Sequence, residues 1–282
     1  MKAKDLRSSL EPVWCKGCGD FGVLKGLTSA LADLEIPPER LAIISGIGCS
    51  SRLPGYTRSY AFNSIHGRAL PIASGLKLSR PDITTIVVGG DGDGFSIGLG
   101  HIPHTARRNV DITYAVLDNG IYGLTKGQAS PTSTEEFKRD RGLAGVGERP
   151  LNPVLLVLSS GAGFVARTHA GNLPHLRTMM REAIAYPGFA FVHILAGCVT
   201  YQGPQYGEAI YQRCDMLPAE FDATDLTKAM EAARAERFAL GVLYRRPVEL
   251  APGLGGGDAA AAEGIWPAIG SAEARRELPA DG

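Results

Sequence analysis

Hydrophobic and polar positions alternate between two periods along most of the chain. Residues 21–34 carry apolar groups at helical spacing, and 40–47 follow as a β-branched, mostly apolar run of the kind buried on both faces of a parallel sheet. A polar, Gly-containing loop is predicted over 48–64. The spacing of Leu70, Ala73 and Leu76 predicts a helix over 66–78, which Pro81 ends before a second buried strand over 83–88. After another helix, a third strand is predicted over 112–117. A helix over 173–186 leads into a fourth strand over 189–195.

Strands alternating with helices predict an α/β fold, a parallel sheet sandwiched by helices, with ligands just beyond the carboxyl ends of the strands. Residues 123–150, rich in Thr, Ser, Gly and charge, are too long for an ordinary connection and are expected to be functional or mobile. From Ala251 the chain turns to Gly253-Leu254-Gly255-Gly256-Gly257 and then Ala259 to Ala262, too poor in large apolar groups to build a core. The expected organisation is one folded domain over 1–250 and a low-complexity tail over 251–282. No internal repeat is visible.

The 282 residues, 44% of them hydrophobic, suffice for one large α/β domain. Lys plus Arg and Asp plus Glu both number 29, so bulk charge would recruit neither nucleic acid nor anionic lipid. The start, Met1-Lys2-Ala3-Lys4-Asp5, lacks the apolar run of a secretory signal, and no stretch approaches the ~20 apolar residues of a membrane span. A cytoplasmic protein is expected. Five cysteines, an odd number, then favour metal ligation or redox chemistry over a disulfide framework.

The strand over 83–88 runs straight into Gly89-Gly90-Asp91-Gly92-Asp93-Gly94 and a helical segment, where free backbone N–H groups can receive a diphosphate. A diphosphate brings a hard divalent cation, and Mg²⁺ takes oxygen ligands, one of which Asp91 can supply. The next strand ends at Asp118-Asn119-Gly120-Ile121-Tyr122-Gly123, placing the Asn119 amide oxygen at the neighbouring strand end as a second ligand. Each motif alone would be an ordinary turn. Together on consecutive strands they point to one shared ion.

Cys15-Lys-Gly-Cys18 precedes the first helix, Cys49 follows the first strand and Cys198 follows the fourth. The C-x-x-C spacing alone fits zinc, a redox dithiol or an iron–sulfur cluster equally. A zinc ribbon normally offers a second close C-x-x-C, and a dithiol has no use for Cys49 and Cys198. Cys214 lies outside this set and reads as a small buried or free thiol.

Gly-Asp-Gly at 90–92 with Asn119 further on resembles the signature of thiamine-diphosphate enzymes. The continuation through Ile121, Tyr122, Gly123, Leu124, Thr125 and Gln128 resembles the β subunits of 2-oxoacid:ferredoxin oxidoreductases, as do Trp14-Cys15-x-Gly-Cys18, Gly46-Ile-Gly48-Cys49 and Cys198-Val-Thr200. The resemblance spans roughly 13–202. It implies thiamine diphosphate, with Mg²⁺ on Asp91, Asn119 and the main-chain oxygen of Ile121. It also implies one 4Fe-4S cluster on Cys15, Cys18, Cys49 and Cys198. Coenzyme contacts are then expected from Gly48, Cys49, Ser50, His66, Gly67, Gly90, Gly92, Asp93, Gly123, Leu124 and Thr125.

Two residues are candidates for catalytic roles. Arg52, otherwise a solvated surface cation, could fork onto the distal carboxylate of a substrate, which would favour 2-oxoglutarate. His66 is read at the start of the second helix, facing the strand ends, beside the coenzyme. The other histidines form no metal-like cluster with acidic residues.

The activity implied is coenzyme A-dependent oxidative decarboxylation of a 2-oxoacid, with electrons passed to ferredoxin. Activation of thiamine also needs a carboxylate on its pyrimidine half, and no second domain here supplies one. An α subunit is therefore expected, in a dimer of αβ dimers that is inactive as isolated β chains. Pyruvate- or branched-chain-specific members stand as substrate alternatives. A non-oxidative thiamine-dependent decarboxylase subunit and a zinc-stabilised nucleotide-binding module are the competing readings.

Overall fold

The computed structural model describes residues 1–140 and 148–247; the predicted tail over 251–282, and residues 141–147 of the long connection, lie outside the described residues. In chain order the elements are α1 (Asp20–Asp33), β1 (Leu41–Ser45), β2 (Tyr60–Asn63), α2 (Ala69–Ser79), β3 (Thr84–Gly90), α3 (His101–Arg107) and β4 (Ile112–Asp118). A short hairpin, β5 (Ile121–Tyr122) and β6 (Gln128–Ala129), precedes α4 (Glu135–Asp140) and α5 (Pro153–Ser159). Then come β7 (Phe164–His169), α6 (Leu173–Ile184), β8 (Phe189–Leu195), α7 (Pro204–Tyr211), β9 (Cys214–Met216), α8 (Leu226–Arg234) and β10 (Phe238–Arg245).

Eight strands form one sheet in the order β2-β1-β3-β4-β8-β7-β10-β9. Neighbours from β2 through β7 pair in parallel, and only the β7–β10 contact is antiparallel. From β1 the chain steps outward to β2 and then returns on the other side to β3. Crevices at strand carboxyl ends open at such reversals.

The central strands are buried on both faces, which is why they read as continuous apolar runs. Successive side chains serve opposite layers. Leu41 and Ile43 of β1, Ile86 and Val88 of β3, and Ala190, Val192 and Ile194 of β8 join the layer packed against α1 and α6. Ala42, Ile44, Val87, Phe189 and Phe191 join the layer of α2, α3, α5 and α8. Asn152 and Asn172 cap α5 and α6, each accepting a backbone N–H three residues on, with proline at the first position of α5 and the second of α6.

The four predicted strands are present, with β3 extended through Gly89 and Gly90. Two expectations need correction. The loop predicted over 48–64 contains a 3-10 turn (Ser50–Tyr56) and the edge strand β2, whose residues are all exposed and so lack the apolar run that marks a buried strand. The second helix starts at Ala69, because Gly67 takes a positive φ of 70° that no helix contains; His66 therefore stands in the loop before it.

Glycines separate tight from open packing. A Cβ on Gly22 of α1 would lie 2.4 Å from the main-chain oxygen of Ala170, whereas one on Gly75 of α2 meets nothing within 4 Å. Gly22→Ala should destabilise the chain by about 1–3 kcal/mol. Gly75→Ala should stabilise it by about 0.5–1 kcal/mol. Urea denaturation would show midpoints moving in opposite directions; shifts of one sign would contradict this packing of α1.

Candidate functional site

The carboxyl ends of β1, β3 and β4 open into a cleft. β3 passes directly into a π-turn, Asp93–Ile97, closed by donation from Gly98 N–H to the Asp93 carbonyl oxygen (3.2 Å). Every predicted coenzyme contact except Gly67 lines this cleft: Gly48, Cys49, Ser50, His66, Gly90, Asp91, Gly92, Asp93, Asn119, Ile121, Gly123, Leu124 and Thr125. Gly67 sits just behind, donating its N–H to Asp93 Oδ1 (2.7 Å). The same oxygen accepts from Ile47 N–H (3.0 Å) and lies 3.0 Å from His66 Nδ1.

Asp91 is buried at the head of the turn. Its Oδ1 accepts from Asn119 N–H (3.3 Å), and its Oδ2 lies 2.9 Å from Thr132 Oγ1. Burial, reinforced by the charge of Asp118, pushes its carboxyl up to about 8. Asn119 Oδ1 accepts from Ile121 N–H (3.0 Å), which leaves one lone pair free. A buried carboxylate, an amide oxygen and a nearby carbonyl are hard oxygen donors of the kind Mg²⁺ prefers. A divalent cation would also offset the burial of Asp91.

The glycines make room. Gly90 presents its open side toward Ser50 Oγ, 3.4 Å from where a Cβ would stand, and nothing lies within 4 Å of such a position on Gly48. Ser50 Oγ is buried with no hydrogen-bond partner. Such an orphaned donor facing a glycine cradle fits an anionic oxygen.

The second wall carries sulfur. Trp14 Nε1 donates to the Cys49 main-chain oxygen (2.9 Å), fastening the segment before Cys15 to the end of β1. The Cys15–Cys18 turn, closed by Cys18 N–H to Cys15 O (3.0 Å), packs on the end of β8. There, Cβ atoms added at Gly17 and Gly19 would lie 3.6 Å from Val199 and 3.1 Å from Ala196. Burial, then the Asp20 charge, raises the Cys18 thiol well above its ordinary range, with smaller contributions from Cys49 and Cys198. Burial, followed by Asp20, Cys198 and Cys15, pushes Cys49 up to about 11. The four cysteines thus share one neighbourhood.

Among the described residues, no three His, Cys, Asp or Glu side chains close to the distances of a single ion's shell. A cluster places each thiolate on a different iron and asks for a wider spacing of soft donors. Cys214 lies apart on β9, its thiol donating to Ile210 O (3.4 Å).

Arg52 is exposed, stands outside the cleft lining and forms no ion pair with a described residue, yet its charge lowers the Cys49 thiol. The sequence reading missed Tyr122, whose hydroxyl donates to Gly92 O (3.0 Å), and Asp20. Asp20 is 4% exposed, lines the cleft and leaves Oδ2 without a partner. Its position two residues after Cys18 was the available signal.

Burial pushes Asp20 up to about 7, against a hydrogen bond from the Cys18 thiol. The unfolded carboxyl ionises near its ordinary 3.8, so between these values the folded chain binds the extra proton. Stability therefore falls as pH rises through that window. In the metal-free chain Asp20→Asn should be more stable than wild type at pH 8, the gap closing toward pH 4. Urea denaturation across pH checks this; a gap independent of pH would remove Asp20 ionisation from the balance.

Residues 46–194, just over half the chain, match the thiamine pyrophosphate enzyme, C-terminal TPP binding domain. The chain is 40% identical to 2-oxoacid:ferredoxin oxidoreductase 2, subunit beta, of Aeropyrum pernix over 85% of its own length and 82% of the relative's. It is 45% identical to the 2-oxoglutarate oxidoreductase subunit KorB of Mycobacterium tuberculosis over 70% of its length, spanning about half (53%) of that protein. Among solved structures, the 2-oxoglutarate:ferredoxin oxidoreductase of Magnetococcus marinus, with 2-oxoglutarate, coenzyme A and succinyl-CoA bound, superposes with a TM-score of 0.85. The identity is 44%, covering 88% of this chain and 86% of that one. A diphosphate-ready cleft at the β1–β3 reversal, walled by cysteines, is thus matched by relatives along most of the chain, which belongs to the β subunits of the 2-oxoacid:ferredoxin oxidoreductases.

Proposed function

We propose that this chain holds thiamine diphosphate through Mg²⁺ on Asp91, Asn119 and the main-chain oxygen of Ile121. On the same reading, Cys15, Cys18, Cys49 and Cys198 hold one 4Fe-4S cluster. With an α subunit, in a dimer of αβ dimers, it performs coenzyme A-dependent oxidative decarboxylation of a 2-oxoacid and passes the electrons to ferredoxin. The observation that carries this is that Cys49, neighbour of the other three cysteines, lines the same cleft as Asp91 and Asn119. When bound, the coenzyme supplies the electron sink for loss of CO₂ and the cluster accepts electrons singly.

The chain's own residues then have separable tasks. Gly90, Gly92 and Ser50 receive the diphosphate, Asp91 and Asn119 fix the cation, and His66 and Leu124 line the cleft wall. Among the described residues no glutamate lines the cleft, so the carboxylate that activates the pyrimidine half is assigned to the α subunit. The sheet edge next to β1 exposes Tyr60 (60%) and Phe62 (51%), and Ile65 (73%) follows just before the cleft-lining His66, an apolar surface suited to a partner.

The relatives named for 2-oxoglutarate, and the solved relative with that acid bound, favour the same substrate here. Arg52 is the residue assigned to its distal carboxylate. No helix among the described residues is long and apolar enough to cross a membrane, and a cytoplasmic site of action is consistent with that.

Co-expressed with its α subunit and purified anaerobically, the chain should show iron–sulfur absorption, a reduced-state paramagnetic resonance signal and 2-oxoacid-dependent viologen reduction. The isolated chain should show no turnover; full activity of the single chain would refute the division of labour. Zinc in place of iron with non-oxidative release of CO₂ would favour the decarboxylase alternative. Arg52→Leu should lower the preference for 2-oxoglutarate over pyruvate, in kcat/KM, on the order of tenfold or more. An unchanged ratio would remove Arg52 from recognition.

A further inference from the structure

A row of polar side chains crosses the sheet interior beneath the cation end of the cleft. Arg167 of β7 and His193 of β8 are direct partners in the parallel register, and Asp118 ends β4 on the other side of β8. All three point into the layer that Val165, Phe191 and Val116 occupy. Arg167 is 2% exposed and His193 1%. Charged groups this deep persist only with specific partners. Among the described residues Arg167 has no carboxylate in ion-pair contact. Its Nε–H donates to His193 Nδ1 (3.1 Å), and its guanidinium lies 5.3 Å from the centre of the Phe238 ring.

That first hydrogen bond decides the second. An N–H pointing at Nδ1 requires a lone pair there, so the ring proton of His193 sits on Nε2. Nε2–H then donates to Asp118 Oδ2 (2.8 Å). Burial, assisted by the Arg167 charge, holds His193 below its ordinary pKa, in keeping with a neutral ring. The other oxygen of Asp118 accepts from Gly120 N–H (3.0 Å), bracing the turn that presents Asn119 and Ile121. It also lies 2.8 Å from Thr132 Oγ1, which touches Asp91 Oδ2 at 2.9 Å.

We infer that Arg167 and His193 are positioning residues for the cation site: Arg167 selects the His193 tautomer, and His193 locks Asp118, which sets the Asn119–Ile121 turn and, through Thr132, the side chain of Asp91. Neither residue touches the cleft, so both act only through Asp118. The inference rests on the coenzyme reading above. Outer partners of this kind typically change metal affinity by about 10–100-fold.

The test uses the assembled αβ protein, stripped of Mg²⁺, with Mg²⁺ titrated by calorimetry at fixed thiamine diphosphate. Arg167→Met and His193→Leu should raise half-saturating Mg²⁺ on the order of tenfold or more. Arg167→Lys and His193→Gln keep a donor at each step and should stay closer to wild type than the apolar variants. A purely structural role would lower the melting temperature and leave the Mg²⁺ dependence of the folded protein unchanged, which would overturn the inference. Should the apolar variants fail to fold, ¹⁵N resonances of wild-type His193, assigned by their loss in His193→Gln, still decide. A proton on Nε2 supports the relay and a proton on Nδ1 overturns it. Wild-type protein that binds no thiamine diphosphate with Mg²⁺ would sink the coenzyme reading itself; normal wild-type binding with unchanged variants would sink only the relay.

Discussion

One buried carboxylate holds the cleft in shape. Asp93 Oδ1 takes N–H groups from Ile47, just past β1, and from Gly67, before α2, while its own backbone closes the π-turn after β3. Three separate chain segments are thereby pinned around one acceptor. Close approach is possible because Gly46 has no side chain: a Cβ there would lie 1.8 Å from Asp93 Oδ2. With β1 and β3 ends fixed this way, Gly90, Asp91 and Ser50 face a common space, and the reversal in strand order keeps that space open.

The electrostatics of that space are unbalanced in the chain alone. Asp91 and Asp118 are both buried and share one hydroxyl, that of Thr132, which has a single proton to give. Asp20 and Ser50 each leave a buried oxygen unmatched. The Cys18 and Cys49 thiols are held protonated by burial and by Asp20. Each imbalance is of the sign that a bound cation, an anionic oxygen or a metal–thiolate bond would relieve. Stability is conceded at the cleft and supplied by the two apolar layers above and below the sheet.

How much of this could be read from residue order depends on burial. The strands β1, β3, β4 and β8 are apolar on both faces, so their runs stood out, and the site motifs at their ends came with them. β7 did not, because Arg167 interrupts its apolar run and its partner lies 26 residues away on β8. β2 did not, because an edge strand with exposed residues carries no such signature. The start of α2 was misplaced because only φ distinguishes Gly67 as a loop residue rather than a helical one. Tyr122 and Asp20 were missed for a related reason. Their proximity to the cleft comes from the turn after β4 and the start of α1, and only Asp20, two residues after Cys18, left a local trace of it.

The two edges of the sheet differ in their distance from the site: β2 adjoins β1, whereas β9 lies four strands beyond β4. At the far edge, β10 reverses direction against β7 and β9 adds a short last strand that leaves Met216 exposed. At the near edge, β2 is four residues long, pairs only with β1 and turns Tyr60 and Phe62 to solvent. An exposed apolar edge invites pairing or cover, which soluble proteins otherwise avoid. The near edge, next to the strand whose end opens into the cleft, is the border where, on the proposed reading, the α subunit brings the pyrimidine-binding half. On that reading, a cleft assembled from both sides would tie formation of a reactive centre to formation of the complex.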